Sequence, residues 1–254
     1  MKIGFPTFPR GNIIKEIEWI GKNGFDFVDL FIEEDQIMPE KIDIKKTKQA
    51  IDKYKLGVVG HTAWYMPIGS PSRALRDAAI KEISRAFRVF EKLGAKYVTV
   101  HANWPSGMFS TEEGIDFQVE SLKILAKKAK KHKLSIMYES LDGKKDTLEN
   151  VEAILSKVPE IFFHIDIGHV NVHGRKPEEF IKKLKDRLVH VHMHDNDGSK
   201  DLHIPIGCGN IDWNSLIKTL KNNYDGTITL EIFSQDKDYV LMAKDKLKKM
   251  WIST

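Results

Sequence analysis

The 254-residue sequence has a single cysteine, Cys208, and no apolar run that could span a membrane. One cysteine excludes an intramolecular disulfide framework, which is typical of a chain that stays in a reducing cytoplasm. A transmembrane helix needs about 20 consecutive apolar residues, so no membrane partner is expected. The N-terminal MKIGFPTF has no long apolar segment behind its lysine, so a secretory signal peptide is not expected either.

The sequence also lacks a large excess of either charge. It has 40 Lys and Arg against 36 Asp and Glu, a formal net charge of +4. The basic stretch KKAKKHK (127–133) is most simply the solvated face of a helix, and a nucleic-acid patch is the minority interpretation. With 41% hydrophobic and 30% charged residues, the composition is that of a globular protein with an ample core.

Short β-like runs alternate with longer helical patterns along the whole chain. The strand candidates are residues 2–5, 25–32, 57–62, 96–102, 134–140, 161–167, 188–194 and 227–233. The clearest helical pattern has apolar residues at Leu75, Ala79, Ile83, Phe87 and Phe90 and stops at Leu93–Gly94. Eight such units without a linker predict an α/β fold, a (βα)8 TIM barrel, as one domain over residues 1–254. An open doubly wound sheet is the rival, but no GxGxxG follows the first strand.

Metal-competent side chains stand at or near the ends of six predicted strands. They are His61, His101, Glu139, Asp166, His192 and Glu231, with His169, Asp201 and His203 just beyond. The carboxyl ends of barrel strands meet on one rim, where the βα loops build the active site. A lone buried histidine is more often a hydrogen-bonded core residue, but that explanation must be invoked separately at every position. The set therefore predicts a divalent-metal site, and its mixed donors suit Zn, Mn or Co, with Mg a further candidate.

The segment LVHVHMHD (188–195) concentrates these residues. His190, His192 and His194 alternate with apolar residues, so they share one face of a strand. His192 is the predicted ligand, and His190, deeper along the strand, is predicted to be a core residue. Asp195 is predicted to orient a metal ligand by contacting its side chain, without binding the metal itself.

The local motifs resemble those of a known superfamily. They are DIGH (166–169), HMHD (192–195), DLH (201–203) and GCGNIDW (207–213). With the nine residues above, they resemble the xylose isomerase-like TIM-barrel superfamily over nearly the whole chain. That superfamily includes sugar isomerases and epimerases as well as AP endonucleases of the endonuclease IV type.

Resemblance to the sugar-acting branch implies one divalent ion, held by Glu139, Asp166, His192 and Glu231. It implies that Glu139 and Glu231 are catalytic and move a proton through a metal-bound enediolate. The residues predicted to contact a carbohydrate substrate are His61, His101, His169, Trp64 and Glu33.

Resemblance to endonuclease IV implies instead up to three zinc ions and abasic DNA as the partner. His61, His101 and Glu139 would hold the first, and Glu139 would bridge to a second bound by Asp166, His192 and Glu231. His169, Asp201 and His203 would hold the third. The loop HTAWYMPIGSP (61–71) also resembles this branch, with Trp64 and Tyr65 at the position that enters DNA.

Several departures from the family patterns bear on the choice between the two branches. GNIDW is typical of isomerase-like members, whereas DIGH departs from the DTCH of the endonucleases. Cys208 replaces a glutamate that is usual in the motif matched by GCGNIDW (207–213). The segment ESLDGKKDT (139–147) lacks the Asn-Arg pair of ketose epimerases. The substrate of those relatives therefore cannot be assigned to this chain from the resemblance. The acidic run LFIEEDQ (30–36) is either a solvated loop or a pocket wall that would repel phosphate and accept sugar hydroxyls.

The sequence therefore predicts a metal-dependent sugar or sugar-phosphate isomerase or epimerase. Hydrolysis of abasic DNA is the alternative activity. A metal-binding barrel without catalytic activity is the third interpretation, since a fold does not fix a function.

Overall fold

Eight parallel strands close into a barrel in a computed structural model that describes residues 1–33 and 37–254. The strands are β1 (Lys2–Pro6), β2 (Phe27–Ile32), β3 (Gly57–Thr62), β4 (Tyr97–His101), β5 (Ser135–Glu139), β6 (Phe162–Asp166), β7 (Leu188–Met193) and β8 (Thr227–Leu230). Each strand pairs with the next one along the chain, and β8 pairs with β1. The predicted (βα)8 TIM barrel is confirmed.

Helices follow the strands and cover the outside of the barrel. They are α1 (Ile13–Lys22), α2 (Ile44–Lys53), α3 (Arg73–Leu93), α4 (Thr111–Lys130), α5 (Leu148–Lys157), α6 (Ile167–Asn171), α7 (Pro177–Leu184), α8 (Trp213–Asn223) and α9 (Asp238–Ser253). Short 3₁₀ turns occur at Pro39–Lys41 and Val172–Gly174. No helix in the described part of the chain is both long and apolar enough to cross a bilayer.

The helix α3 confirms most of its predicted pattern. It stops before Gly94, whose φ of 96° is the left-handed conformation that glycine adopts without steric cost. Ala79, Ile83 and Phe87 are buried against the sheet, but Leu75 is 53% exposed. Leu75 keeps the helical spacing, but it lies in the first turn of α3, where its side chain is exposed.

Apolar packing occurs on both sides of the sheet. The larger cluster joins the outward-facing strand residues to the helices. A smaller cluster inside the barrel consists of Phe27, Val59 and Met137. We call this small cluster the lower layer, because it lies nearer the amino ends of its strands than the ionisable side chains that follow on the same interior face.

Strand register brings the predicted functional side chains to one level of the barrel. His101 pairs with Glu139, and Asp166 pairs with His192. Since side chains alternate along a strand, the interior-facing residues of neighbouring strands then lie side by side. The register therefore places the predicted metal ligands at the carboxyl end of the barrel.

Candidate active site

A cavity of about 880 Å³ opens at the carboxyl end of the barrel. The predicted residues that line it are Glu33, His61, Trp64, His101, Glu139, His169, Asp201, His203 and Glu231. Asp166 and His192 are fully buried among the residues of its floor. The structure thus brings all the predicted metal, catalytic and substrate-binding residues together.

Glu139, at the end of β5, lies at the centre of one group of imidazoles. Its Oε2 is 3.1 Å from His101 Nε2, 3.1 Å from His164 Nδ1 and 3.6 Å from His61 Nε2. Its Oε1 is 3.5 Å from His169 Nδ1. Burial alone would raise the pKa of Glu139, but His164 and His101 hold that pKa well below its ordinary value. Glu139 is therefore ionised at neutral pH.

His192 lies between carboxylates on two sides. Its Nδ1 is 3.0 Å from Glu231 Oε2 and 3.8 Å from Asp166 Oδ2, and its Nε2 is 2.7 Å from Asp29 Oδ2. Burial disfavours the charged imidazole, yet the charge of Glu231 and the hydrogen bond to Asp29 raise the pKa of His192 well above its ordinary value. We call Glu139, Asp166, His192 and Glu231 the primary site.

Asp201 forms the centre of a second group with three histidines, His169, His194 and His203. Asp201 Oδ2 is 2.6 Å from His203 Nε2 and 3.4 Å from His169 Nε2, and its Oδ1 is 3.3 Å from His194 Nε2. We call these four residues the loop cluster. It contains the three residues that the endonuclease resemblance assigns to a third ion, together with His194, which that assignment lacks.

Asp166 connects the primary site to the loop cluster. Its Oδ1 accepts a hydrogen bond from His169 N at 2.8 Å, which caps α6, and lies 3.0 Å from His194 Nε2. A β-carbon on Gly168 would lie 1.8 Å from the His194 ring, so only glycine fits at this position. The DIGH motif therefore ends a strand, starts a helix and leaves room for His194.

Several buried oxygen and nitrogen atoms that could bind a metal lie close together without forming hydrogen bonds. Within the described residues, Glu139 Oε2, Asp166 Oδ2, His194 Nε2 and Asp201 Oδ1 have no hydrogen-bond partner. Buried polar atoms are normally paired, so such atoms need an explanation. Carboxylate and imidazole atoms that converge in this way, within 4.8 Å of one another in each group, fit a divalent cation.

The residues after β7 hold the loop cluster in place. The carboxylate of Asp195 accepts hydrogen bonds from Trp213 Nε1 and Gly207 N, both at 2.7 Å. Its backbone pairs with Ile204 in an antiparallel bridge. In the described structure its side chain bonds to this loop and not directly to a histidine, so its predicted orienting role stays a prediction. Asp195 anchors the segment that carries Asp201.

His203 has a strained backbone conformation. Its φ is 48°, a left-handed value that non-glycine residues rarely adopt. The hydrogen bond of its Nδ1 to Glu231 O at 2.9 Å, and a stacked contact with Phe233 at 4.2 Å, hold the ring over the cavity. Strain of this kind clusters at functional sites. Burial lowers the pKa of His203, but the charges of Glu231 and Asp201 raise it to about 9.

The outer wall of the cavity combines one carboxylate with exposed aromatic rings. Burial raises the pKa of Glu33. The charge of His61 lowers that pKa in part, and the charge of Glu231 raises it further. Glu34 and Asp35, which also belong to the acidic run, lie outside the described residues. The exposed fractions of Phe8, Trp64 and Phe233 are 60%, 57% and 63%, and all three rings line the cavity.

Two interior residues escaped the sequence analysis. His164 precedes Asp166 by two residues in β6, and its Nδ1 lies 3.1 Å from Thr99 Oγ1 as well as from Glu139. Asp29, in the middle of β2, contacts His190 and His192. The signal was present in both cases, since each is an ionisable residue inside an apolar strand.

Comparisons with known proteins agree with this geometry. The family model described as Xylose isomerase-like TIM barrel matches residues 17–250. An uncharacterized protein of Methanocaldococcus jannaschii is 29% identical over 248 residues, which cover 91% of this chain and 83% of that protein. The L-ribulose 3-epimerase of Methylomonas sp. (strain DH-1) is 23% identical over 236 residues, which cover 87% of this chain and 79% of the epimerase.

The fold match is close as well. The crystal structure of a D-tagatose 3-epimerase-like protein aligns with a TM-score of 0.88 at 26% identity, covering 98% of this chain and 97% of that chain. The superfamily inferred from the motifs is confirmed, and the relatives with named activities include sugar epimerases and inosose dehydratases. The chain belongs to the xylose isomerase-like TIM-barrel family.

Proposed function

We propose that this protein is a divalent-metal-dependent isomerase or epimerase of a sugar or sugar phosphate, acting in the cytoplasm. One observation carries the proposal. The carboxylates Glu139 and Glu231 and a set of buried imidazoles converge on the floor of a cavity large enough for a carbohydrate. The cytoplasmic location is favoured by the single cysteine.

The primary site is the group that would hold the ion. Glu139, Asp166 and His192 each offer a donor atom within 4.8 Å of the others, and Glu231 Oε2 is 3.0 Å from His192 Nδ1. Zinc, manganese and cobalt suit such mixed donors. A divalent ion bound here would supply Lewis acidity, which polarises a carbonyl and acidifies the neighbouring C–H bond.

The chain supplies the proton transfer itself. Glu139 is ionised and faces the cavity, so its carboxylate can accept a proton from a carbon next to a carbonyl. Glu231, directly after β8, faces the same cavity and would return a proton to the other face of that carbon. Burial opposes protonation of His169, but Asp166 and Asp201 raise its pKa well above the ordinary value. His169 would therefore donate a hydrogen bond to a substrate oxygen.

The side chains of the outer wall of the cavity fit a carbohydrate substrate. Exposed rings such as Trp64 and Phe233 can contact the apolar C–H face of a sugar, and the Glu33 carboxylate can accept bonds from hydroxyl groups. A carboxylate in this position disfavours a phosphodiester backbone, which basic residues normally contact. The names of the epimerases described above favour a sugar over the abasic DNA alternative.

Proton exchange with solvent would test the proposed function directly. The protein is stripped with a chelator and then assayed in deuterium oxide with ketohexoses and ketohexose phosphates, with and without added Mn²⁺, Co²⁺ or Zn²⁺. We expect deuterium to enter the carbon next to the carbonyl, together with the epimer or isomer, only when metal is restored.

The contrary result is equally specific. No exchange with any sugar of the panel, combined with incision of an abasic duplex by the zinc-loaded protein, would overturn the sugar proposal. Elemental analysis of the same preparation would then give the number of ions per chain.

A further inference from the structure

Asp29 is a fully buried carboxylate in the middle of β2, and the proposed function does not use it. Its Oδ2 is 2.7 Å from His192 Nε2, 2.9 Å from Thr229 Oγ1 and 3.3 Å from His190 Nε2. Burying a charged carboxylate is costly unless hydrogen bonds compensate the lost water. This concentration of contacts on a single oxygen atom therefore needs an explanation.

The direction of these hydrogen bonds requires a hydrogen on Nε2 of His192. An ionised carboxylate only accepts hydrogen bonds, so each partner must direct a hydrogen at Asp29 Oδ2. For His192 that hydrogen lies on Nε2, and Nδ1 then faces the opposite side of the ring. There Nδ1 is 3.0 Å from Glu231 Oε2 and 3.8 Å from Asp166 Oδ2.

We propose that Asp29 is a positioning residue, which accepts the Nε2 hydrogen of His192 and thereby presents Nδ1 to the primary site. The inference rests on the proposed function, in which His192 is one of the residues that hold a divalent ion. A carboxylate behind a ligand histidine fixes both its tautomer and its ring orientation. Loss of such a partner typically lowers metal affinity roughly 10–100-fold.

The neighbouring histidine shows why this role is specific to His192. His190 also contacts Asp29 through Nε2, but its Nδ1 lies 2.7 Å from Thr227 Oγ1. Both nitrogens of His190 therefore bond inside the barrel, which agrees with its predicted place in the core. Of the two histidines that share Asp29, only His192 has its second nitrogen facing the primary site.

A pair of nearly isosteric variants tests the role of the carboxylate. Asp29→Asn removes the charge, whereas the control Thr229→Val removes another donor to the same oxygen and leaves His192 in contact with Asp29. Zinc affinity is measured by chelator competition, and the melting temperature of the metal-free variants is measured in parallel. We expect the zinc Kd to rise roughly 10–100-fold in Asp29→Asn and less than about threefold in Thr229→Val.

A measurement on the unmodified protein does not depend on the folding of any variant. Nitrogen NMR of the zinc-loaded chain identifies which ring nitrogen of His192 carries a hydrogen. We expect a hydrogen on Nε2 and a zinc-shifted resonance for Nδ1. A His192 that binds zinc through Nε2 would overturn the proposal, whatever the variants do.

The outcomes separate this inference from the proposed function. Unchanged zinc affinity in Asp29→Asn, or an equal loss in Thr229→Val, would overturn the positioning role alone. Failure of the unmodified protein to bind zinc would overturn both. Zinc binding that depends on Asp29, without any sugar exchange, would uphold the positioning role and overturn only the activity.

Discussion

Along β2, β3 and β5, one interior side chain is apolar and the next one on the same face is ionisable. The pairs are Phe27 and Asp29, Val59 and His61, and Met137 and Glu139. The first members form the lower layer, and the second members belong to the network around the primary site. A step of two residues along the strand thus separates two environments with opposite energetic roles.

The lower layer stabilises the barrel, whereas the layer above it adds little stability. Burial of apolar side chains such as Met137 is favourable in proportion to the area removed from water. Burial of Glu139 and Asp166 is unfavourable until opposite charges or a cation compensate them. Stability and the proposed chemistry therefore belong to different ends of the same strands, as in TIM barrels generally.

We call the ionisable side chains above the lower layer, which include Asp29, His61 and the primary site, the upper layer. The largest expected effect is the loss of activity when this upper layer loses one carboxylate. Glu231→Gln removes a base but keeps the shape of the side chain, so we expect the exchange rate to fall roughly 10²–10⁴-fold. The melting temperature of the metal-free protein should fall by less than in Met137→Ala, because Asp29 still faces His192 and Asp201 still faces His203. Exchange kinetics and thermal unfolding are measured on the same samples, with the surface variant Glu152→Gln as a control for charge.

A large loss of stability with normal exchange in Glu231→Gln would show that the upper layer has a structural role. Glu152 is suitable as the control because it lies on α5 and pairs only with Lys183 among the described residues. Exposed pairs of this kind contribute little stability.

The converse substitution removes volume from the lower layer. Met137 is fully buried, so Met137→Ala should lower the free energy of unfolding by roughly 2–5 kcal/mol. Metal affinity should stay within about threefold, because the cavity that this change creates lies below the ligands. Urea unfolding and chelator competition measure the two quantities separately. A drop in metal affinity as large as that of Asp29→Asn would show that the layers are coupled.

Within the upper layer, His192 and His194 are not equivalent. The Nδ1 of His192 faces two carboxylates of the primary site, whereas His194 Nε2 lies between Asp166 and Asp201. If the primary site holds the ion, His192→Ala should lower its affinity at least about 100-fold and His194→Ala by less than about tenfold. Titration calorimetry with zinc tests this order. The reverse order would make His194 the ligand and shift the site toward the loop cluster.

This contrast was only partly predictable from the sequence. The strand ends and the alternation at residues 190, 192 and 194 are enough to predict which ionisable side chains meet at the cavity, because period-two spacing and parallel strands determine which side chains are neighbours. Asp29 and His164 were overlooked because they lie within their strands, where a polar residue is usually a core residue. Recognising them requires the neighbours across the barrel, which sequence spacing does not provide.

The loop after β7 was less predictable still. The hydrogen bonds of Asp195 to Gly207 and Trp213 join residues more than ten positions apart, and no local pattern specifies them. The left-handed φ of His203 is likewise imposed by its contacts with Glu231 and Phe233. Such features depend on how the loop returns to the barrel, and only the three-dimensional structure gives that path.

A smaller effect is expected from pH on the free energy of unfolding of the metal-free protein. The pKa of His203 is raised to about 9 by Glu231 and Asp201, against an unfolded value near ~6.5. Protonation therefore favours the folded state, and its contribution is fully present below pH ~6.5 and lost as the pH rises through about 9. We expect the free energy of unfolding to fall in this window by an amount on the order of 1–3 kcal/mol.

Urea unfolding at a series of pH values measures this slope, and His203→Gln is the matched variant. The slope should be shallower in the variant, because its side chain does not titrate. The lower layer contains no titratable residue, so Met137→Ala should retain the slope of the unmodified protein. An equal slope in His203→Gln would assign the titration to other groups.

The smallest effect is expected at the outer wall of the cavity, beyond both layers. Trp64 lines the cavity with a ring that is 57% exposed, whereas the carboxylates of Glu139 and Glu231 are buried. An exposed aromatic contact contributes about 0.5–1.5 kcal/mol and binds ground state and transition state alike. Trp64→Ala should therefore raise KM roughly three- to tenfold and leave kcat within about twofold, whereas Trp64→Phe should restore most of the affinity. Steady-state kinetics with the sugar identified by deuterium exchange separates the two constants. A loss in kcat comparable to that of Glu231→Gln would mean that the aromatic wall acts on the reacting atoms. The loops, and not the barrel strands alone, would then take part in the chemical step.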